Sequence, residues 1–252
     1  TKIKSGSEET FIINGKPGTG KTILAVYLVK YLKEQEETKH LEVALVVPMT
    51  QLRGTIRKVF SKVKGLKSTM VIGPNDVTKK KYDILIVDEA HRLKQRKNIT
   101  NYASFDKTNK SFGLDNNGTE MEWIMRSSKN QILFYDQNQS IRPSDLGAEK
   151  FKDLNATHYN LISQQRIEAG EEYINFIDDL FDIQDVSKYK FPEYDLQIYD
   201  DINKMVSDIK QKNDELQLCR VVAGYAWEWK SKKNPNIHDI EIDGLKLKWN
   251  ST

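Results

Sequence analysis

The most constraining feature of the sequence is the stretch GKPGTGKT at residues 15–22. It fits G-x-x-x-x-G-K-[ST] in full, with Gly15, Gly20, Lys21 and Thr22 at the specified positions. The preceding TFIING predicts a short apolar strand, and the following TILAVYLVKYLKEQ carries apolar side chains at helical spacing. A glycine-rich loop between a strand and a helix turns backbone N–H groups toward an anion, which also meets the positive end of the helix dipole. The stretch therefore predicts a phosphate-binding loop rather than a plain connecting turn.

The side chains of this loop predict how a nucleotide would be held. We expect Lys21 to reach the β- and γ-phosphates of ATP and the Thr22 hydroxyl to coordinate Mg²⁺. The residues expected to bind the nucleotide are Gly15, Pro17, Gly18, Thr19, Gly20, Lys21 and Thr22.

Composition limits the other possibilities. At 252 residues with 38% hydrophobic residues, the chain can form one large α/β domain or two smaller ones. The net charge is only +3, so any nucleic-acid site must be local. A single cysteine, Cys219, excludes an intramolecular disulfide framework, and no apolar run reaches the length of a membrane span. With no secretory leader visible, a reducing cytoplasm is the expected compartment.

Four further apolar runs predict a sheet. EVALVVP, STMVIG, YDILIVDEAH and NQILFYDQNQ are apolar on both faces, end in polar residues and are separated by crossovers. This pattern predicts an α/β fold of the doubly wound P-loop NTPase (RecA-like) type, with a parallel sheet covered by helices, over residues 1–160. In such sheets ligands collect at the carboxyl ends of the strands.

Two regions depart from this pattern. Residues 92–119 are polar and without clear period, which predicts a long, mobile insertion loop. From residue 161 the pattern restarts as a helix (EEYINFIDDLF), a strand (LQIYD), a helix (INKMVSDIKQK) and a strand (LQLCRVVAGYAW). Residues 161–252 are therefore expected to form a partial second α/β domain.

Polar residues at two strand ends suggest the chemistry. LIVDEAHR places Asp88 where it can hold Mg²⁺ through its water shell and Glu89 where it can orient and polarise an attacking water. His91 is either structural or couples the nucleotide state to a substrate groove. In LFYDQNQSIRP, the Gln139 amide can hydrogen-bond a terminal phosphate or the attacking water. Arg166, in SQQR, offers a positive fork for developing phosphate charge.

Taken together, these segments resemble a known family. GKPGTGKT, VVPMTQLRGTIRKVF, LIVDEAHR, FYDQNQSIRPSD and SQQR follow the order of motifs I, Ia, II, III and IV of superfamily 1 helicases. The whole chain is similar to the bacterial domain-of-unknown-function family related to the helicase-like ATPase domain of Schlafen proteins. This family also has the segment RVVAGYAWEW, which lies at residues 220–229 of this chain.

The resemblance assigns roles to individual residues. It implies that Gln139 is the motif III glutamine, that Arg166 is the motif IV arginine, and that Thr50 and Arg53 contact single-stranded DNA or RNA. Tyr135 stands where many such helicases have glycine. Nothing after Trp227 resembles motif V or motif VI, whose arginine completes the γ-phosphate site in the family.

The sequence therefore predicts an Mg²⁺-dependent, ATP-hydrolysing motor domain of a helicase-like protein. Without motifs V and VI, the 252-residue chain is expected to bind ATP and Mg²⁺, to hydrolyse ATP poorly and to unwind nothing. One alternative is a nucleotide-gated switch or scaffold that regulates a partner, such as a nuclease or defence module, without translocating. A small-molecule kinase is disfavoured, because motifs II to IV suit water as the phosphoryl acceptor and a bound nucleic-acid strand better than they suit an acceptor alcohol.

Overall fold

The phosphate loop connects the first strand to the first helix. In the computed structural model, which describes residues 8–140, 142–162, 170–192, 194–224 and 226–250, strand β1 spans Thr10–Gly15 and helix α1 spans Lys21–Glu34. The buried residues Ala25, Val29 and Leu32 recur along α1 at helical spacing, so one face of the helix packs on the sheet.

Within the described residues, six strands form one sheet, and its parallel arrangement is the one that the sequence predicts. Besides β1, the strands are β2 (Val43–Val46), β3 (Val71–Ile72), β4 (Tyr82–Val87), β5 (Ser128–Tyr135) and β6 (Thr157–Leu161). The strand order is β3-β2-β4-β5-β1-β6, and every ladder in the sheet is parallel. β6 was not predicted, because its sequence THYNL lacks an apolar run. As an edge strand with exposed side chains it needs none.

Helices cover both faces of the sheet. Helix α2 (Thr50–Lys62) packs beside α1 on one face through Ile56 and Phe60. The opposite face is covered by α3, α4 and α5, which contribute Phe105, Trp123 and Phe151 to a second apolar cluster. These helices span Tyr102–Ser111 (α3), Glu120–Ser127 (α4) and Ala148–Lys152 (α5), and α6 spans Gly170–Phe181.

The expectation of a long loop over residues 92–119 was wrong for its middle part. Residues 102–111 form α3, whose N-terminus is capped by the Asn101 side chain. Arg96 forms a two-point ion pair with Asp106, at 2.6 and 3.0 Å. The helix was missed because part of its anchoring is polar: Asn109 is buried and accepts the Trp123 indole N–H at 2.6 Å. A periodicity test counts only apolar positions and does not register such an anchor.

The chain divides into two compact units, residues 1–189 and 190–252. The predicted helix at residues 171–181 belongs to the first unit as part of α6. The structural division therefore lies later in the chain than the expected boundary after residue 160. That residues 161–252 are part of a second RecA-like domain stays a prediction.

The second unit contains one of the predicted helices, and its described residues form neither predicted strand. Helix α7 spans Ile202–Leu216, and β7 (Ile240–Ile242) pairs antiparallel with β8 (Leu245–Leu247) across an Asp243-Gly244 turn. Residues 196–200 and the described part of 217–227 are not strands. Several of their apolar side chains are exposed, 81% for Ile198 and 88% for Val222. β-branched composition alone does not form a strand without a neighbouring strand to pair with.

Candidate nucleotide site and nucleic-acid groove

The backbone of the phosphate loop requires glycine at several positions. Gly18 and Gly20 both have φ of 83°, in the left-handed region that favours glycine. A Cβ on Gly15 would lie 2.4 Å from the Thr19 hydroxyl oxygen. The glycine pattern thus shapes a tight loop that leads directly into the N-terminus of α1, where backbone donors suit a phosphate.

Lys21 is held at the centre of this loop. Its Nζ donates to the carbonyl oxygens of Gly15 at 2.6 Å and Lys16 at 3.0 Å, and lies 3.5 Å from Asp136 Oδ2. Both charged side chains are buried. Asp136 also accepts the Gln139 side-chain amide at 2.7 Å. A phosphate entering the loop would compete with Asp136 for the Lys21 ammonium group. Gln139 is linked to Lys21 through Asp136, which both side chains contact.

Thr22 and Asp88 form a group of oxygen ligands suited to Mg²⁺. Thr22 Oγ1 donates to Asp88 Oδ2 at 2.8 Å, and burial raises the pKa of Asp88 to about 6, although the Thr22 hydrogen bond opposes this. Asp88 Oδ1 is buried and has no hydrogen-bond partner among the described residues. A buried carboxylate oxygen of this kind is costly unless a cation meets it.

The chemistry of these donors therefore fits Mg²⁺. The described part of the chain has no group of three or more His, Cys, Asp or Glu residues placed to hold a metal ion. Mg²⁺ commonly keeps several waters and takes phosphate oxygens in addition to one or two protein ligands. Thr22 and Asp88 are the protein groups that would hold it.

Glu89 follows the carboxyl end of β4 and carries an ionised side chain. Its backbone has φ of 54°, a left-handed conformation that is unfavourable for a non-glycine residue and turns the chain sharply after β4. Its Oε2 lies 2.9 Å from Nε2 of the fully buried His91, though the approach is too poorly aligned for a regular hydrogen bond. The interaction with His91 lowers the pKa of Glu89. Glu89 is therefore ionised at neutral pH.

The fold brings most of the expected site residues to one edge of the sheet. Because β4, β5 and β1 are neighbours, their carboxyl ends place Asp88, Asp136 and the phosphate loop side by side. Arg166 lies outside the described residues. The pairing of Asp136 with Lys21 was not predicted, because the sequence places Asp136 after an apolar run but does not show that this run lies beside β1.

Thr50 and Arg53 line a separate cavity of about 580 Å³, here called the Arg53 groove. Arg53 donates to the Thr50 hydroxyl at 3.0 Å. A Cβ on Gly73 would lie 1.6 Å from Arg53 Nη1, so glycine there leaves room for the guanidinium. The other charged residues lining the groove are Arg57, Asp76, Lys94 and Glu120. The groove thus combines three cations with two carboxyl groups, and sequence reasoning had identified only Thr50 and Arg53.

The burial of Glu120 in the wall of this groove can be tested through the pH dependence of stability. Burial raises the pKa of Glu120 to about 7 from 4.5, against the opposing effects of the Lys94 N–H group and of the Lys94 and Arg53 charges. Between these values the native state binds more protons than the unfolded state. The free energy of unfolding should therefore fall by roughly 3 kcal/mol as pH rises from about 4.5 to 7. Glu120→Gln is expected to lack this decline in urea denaturation.

The exposed Glu149 offers a matched control. Glu149→Gln should retain the pH dependence of the wild type. Parallel stability profiles for wild type and Glu120→Gln would contradict the buried placement of Glu120.

The parallel sheet, the glycine loop with its lysine, and the Thr22–Asp88 pair define a P-loop nucleotide-binding domain of the helicase-like class. The chain belongs to the family described as Schlafen group 3, DNA/RNA helicase domain, whose model matches residues 8–252. The family resemblance indicated by the motifs is thereby confirmed.

Individual relatives are distant. The uncharacterized protein YPL245W of Saccharomyces cerevisiae is 23% identical over 95% of this chain. The chain spans about three fifths of the length of that curated relative, 59%. Among solved structures, Bacteroides Pif1 bound to single-stranded DNA has a TM-score of 0.37 and 12% identity, covering 98% of this chain and 61% of that chain. Domain III of the Thermotoga maritima replication initiation protein DnaA has a TM-score of 0.36 and 14% identity, with coverage of 87% and 83%. No helix in the described ranges is long and apolar enough to cross a membrane.

Proposed function

We propose that this chain is an ATP-hydrolysing motor domain that requires Mg²⁺ and acts on single-stranded DNA or RNA. The observation that carries the proposal is the chain of contacts from Lys21 to Asp136 and from Asp136 to Gln139. It joins the phosphate loop to the side chain that would detect the terminal phosphate. A domain that only stored a nucleotide would not need this connection.

In the proposed hydrolysis, each site residue has one role. Lys21 leaves Asp136 to bind the β- and γ-phosphates. Thr22 and Asp88 would hold Mg²⁺, which would supply positive charge that neutralises the phosphate oxygens. Glu89 accepts a proton from the water that attacks the γ-phosphorus, while the bond to the β-phosphate oxygen breaks. The lowered pKa of Glu89 keeps its carboxylate ready for this step.

Gln139 is the proposed link between the nucleotide and the Arg53 groove. When Lys21 turns from Asp136 to phosphate, the amide of Gln139 can exchange its carboxylate partner for a phosphate oxygen. The next residue, Ser140, donates its hydroxyl to Leu146 O at 3.0 Å. Asp145, the residue before Leu146, forms an isolated antiparallel bridge with Lys94, which lines the Arg53 groove. A shift at Gln139 could thus be transmitted to the groove through a short run of hydrogen bonds.

The Arg53 groove is the proposed strand-binding surface. Arg53, Arg57 and Lys94 supply charges that can meet a phosphate backbone, and Thr50 adds a hydroxyl. We further propose that Arg166 stabilises phosphate charge during hydrolysis and that residues 161–252 are part of a second RecA-like domain.

The test is steady-state ATPase activity with and without single-stranded DNA and single-stranded RNA. A motor is expected to hydrolyse ATP faster when its polynucleotide is bound. Hydrolysis that no polynucleotide changes would contradict the motor and favour a nucleotide-gated switch. Absence of ATP binding, measured by titration, would contradict both.

Arg53→Gln should weaken the response to the strand. Removing one phosphate contact is expected to raise the polynucleotide concentration needed for half-maximal stimulation and to reduce the salt slope of binding by about one. Lys58→Gln is the matched control, because Lys58 is an exposed cation on the same helix outside the groove. Equal weakening in both variants would indicate a diffuse charge effect rather than a groove.

A further inference from the structure

A second cavity opens directly beside the phosphate loop. It has a volume of about 400 Å³ and lies at the carboxyl ends of β1, β5 and β6, with α5 on one side. Gly15 and Lys16 of the loop form part of its wall. Other residues that line it are Asn14, Tyr135, Asn138, Phe151, His158 and Asn160. We call it the β6 pocket. None of the residues proposed above for hydrolysis, apart from Gly15 and Asp136, lines it.

The inner wall of the β6 pocket is aromatic and almost fully buried. The rings of Tyr135 and Phe151 are stacked with their centroids 4.0 Å apart and an interplanar angle of 24°. The Tyr135 side chain is 4% exposed, and its hydroxyl has no hydrogen-bond partner within the described part of the chain. Leaving a buried hydroxyl unpaired is unfavourable, so this group is suited to a ligand that supplies the partner.

The rim of the pocket carries the charged residues Lys16, Asp136 and Lys152, but amide side chains are its most numerous polar groups. Asn14, Asn138 and Asn160 each present an amide that can both donate and accept, and Asn14 Nδ2 lies 3.5 Å from His158 Nδ1. A free phosphate would favour arginines or backbone N–H groups, as found in the loop itself. Groups that both donate and accept, beside an aromatic inner wall, instead suit a heteroaromatic base, whose edge carries both kinds of group.

We infer that the β6 pocket binds the nucleobase of the nucleotide whose phosphates occupy residues 15–22. The inference rests on the proposed function, since it requires the loop to bind a nucleotide. Gly15 and Lys16 belong to both the loop and the pocket, so a nucleotide whose phosphates occupy the loop can reach this pocket with its base. The volume lies within the range of small-ligand pockets. The pocket supplies a base-binding element that no segment of the sequence had revealed.

The test separates base binding from phosphate binding. The variant His158→Ala with Asn160→Ala removes two exposed rim groups, so the fold should persist. Affinities for ATP and for inorganic tripolyphosphate, both with Mg²⁺, are measured by calorimetry. The wild type should bind ATP more tightly than tripolyphosphate. The double variant should lose about tenfold in ATP affinity and keep its tripolyphosphate affinity.

Thr157→Ala is the matched control, because Thr157 lies on the same strand and does not line the pocket. It should bind both ligands as the wild type does. If the double variant unfolds at a lower temperature than this control, the two single variants replace it, each with a smaller loss of ATP affinity. Comparing ATP with GTP and UTP in the wild type should reveal a preference that the double variant loses.

Three results would overturn the inference. The first is equal wild-type affinity for ATP and tripolyphosphate, and the second is unchanged ATP affinity in the double variant. The third is a double variant that keeps its ATP affinity but loses oligonucleotide binding, which would assign the pocket to a base of the nucleic-acid strand. Failure of the proposed function gives a different result, because the wild type would then bind neither ATP nor tripolyphosphate.

Discussion

Lys21→Ala is expected to reduce nucleotide affinity or ATP hydrolysis by on the order of a hundredfold or more while the fold is retained. The variant loses two hydrogen bonds from Lys21 to loop carbonyls but keeps Gly15, Gly18 and Gly20, on which the loop conformation depends. The buried Asp136 keeps its hydrogen bonds from the Asn138 N–H and the Gln139 amide when the lysine is removed. The site thus loses its cation for phosphate without losing its framework. Nucleotide titration and thermal unfolding together measure the two effects.

Glu89→Gln should separate binding from hydrolysis. The amide preserves the shape of the side chain but cannot accept the proton of the attacking water, so hydrolysis should fall by roughly 10²–10⁴. Nucleotide affinity should stay within about threefold of the wild type, since Glu89 is not expected to contact the ground-state phosphates. Single-turnover hydrolysis measures the first effect and titration the second.

A matched control strengthens both experiments. Lys30→Ala removes a lysine from the far end of the same helix, where Lys30 pairs with Glu34, and should leave affinity and hydrolysis unchanged. Equal loss of nucleotide binding in Lys21→Ala and Glu89→Gln would contradict the separate roles assigned to the two residues.

The sequence predicts the central part of the fold well, and there is a physical reason. Buried parallel strands must be apolar on both faces, so β2, β4 and β5 appear in the sequence as runs that few other structures explain. The motif spacing then identifies Lys21, Thr22, Asp88 and Glu89 as site candidates, because each follows a strand at the same edge of the sheet.

Features that depend on partners in three dimensions were not predicted. β6 is a strand because β1 offers an unpaired edge, not because THYNL has strand-like periodicity. The apolar run at residues 217–224 has a strand-like composition, but it pairs with none of the described strands and is not a strand itself. In the site, the contact of Lys21 with Asp136 depends on β1 and β5 being neighbours, which the order of segments along the chain does not reveal.

Trp123 offers the sharpest test of the segment that the sequence suggested to be a loop. The side chain is fully buried, its ring lies 4.5 Å from that of Phe105, and its indole N–H donates to Asn109 Oδ1 at 2.6 Å. Both partners belong to α3, so Trp123 fastens this helix to α4. Trp123→Ala leaves a large cavity and is expected to lower the free energy of unfolding by about 3–5 kcal/mol in urea denaturation.

Graded variants separate packing from hydrogen bonding. Trp123→Phe keeps most of the ring but leaves Asn109 Oδ1 buried without its donor, so it should cost about 1–3 kcal/mol, less than Trp123→Ala. Tyr102→Ala removes a partly exposed ring from the start of α3 and should cost less than either. Hydrogen exchange then tests order directly, because amides of α3 should exchange slowly in the wild type and faster in Trp123→Ala, with β4 changing less. Wild-type exchange in α3 as fast as in an unfolded peptide would mean that the segment is a mobile loop after all, because a helix docked through Phe105 and Asn109 cannot leave its amides open to solvent.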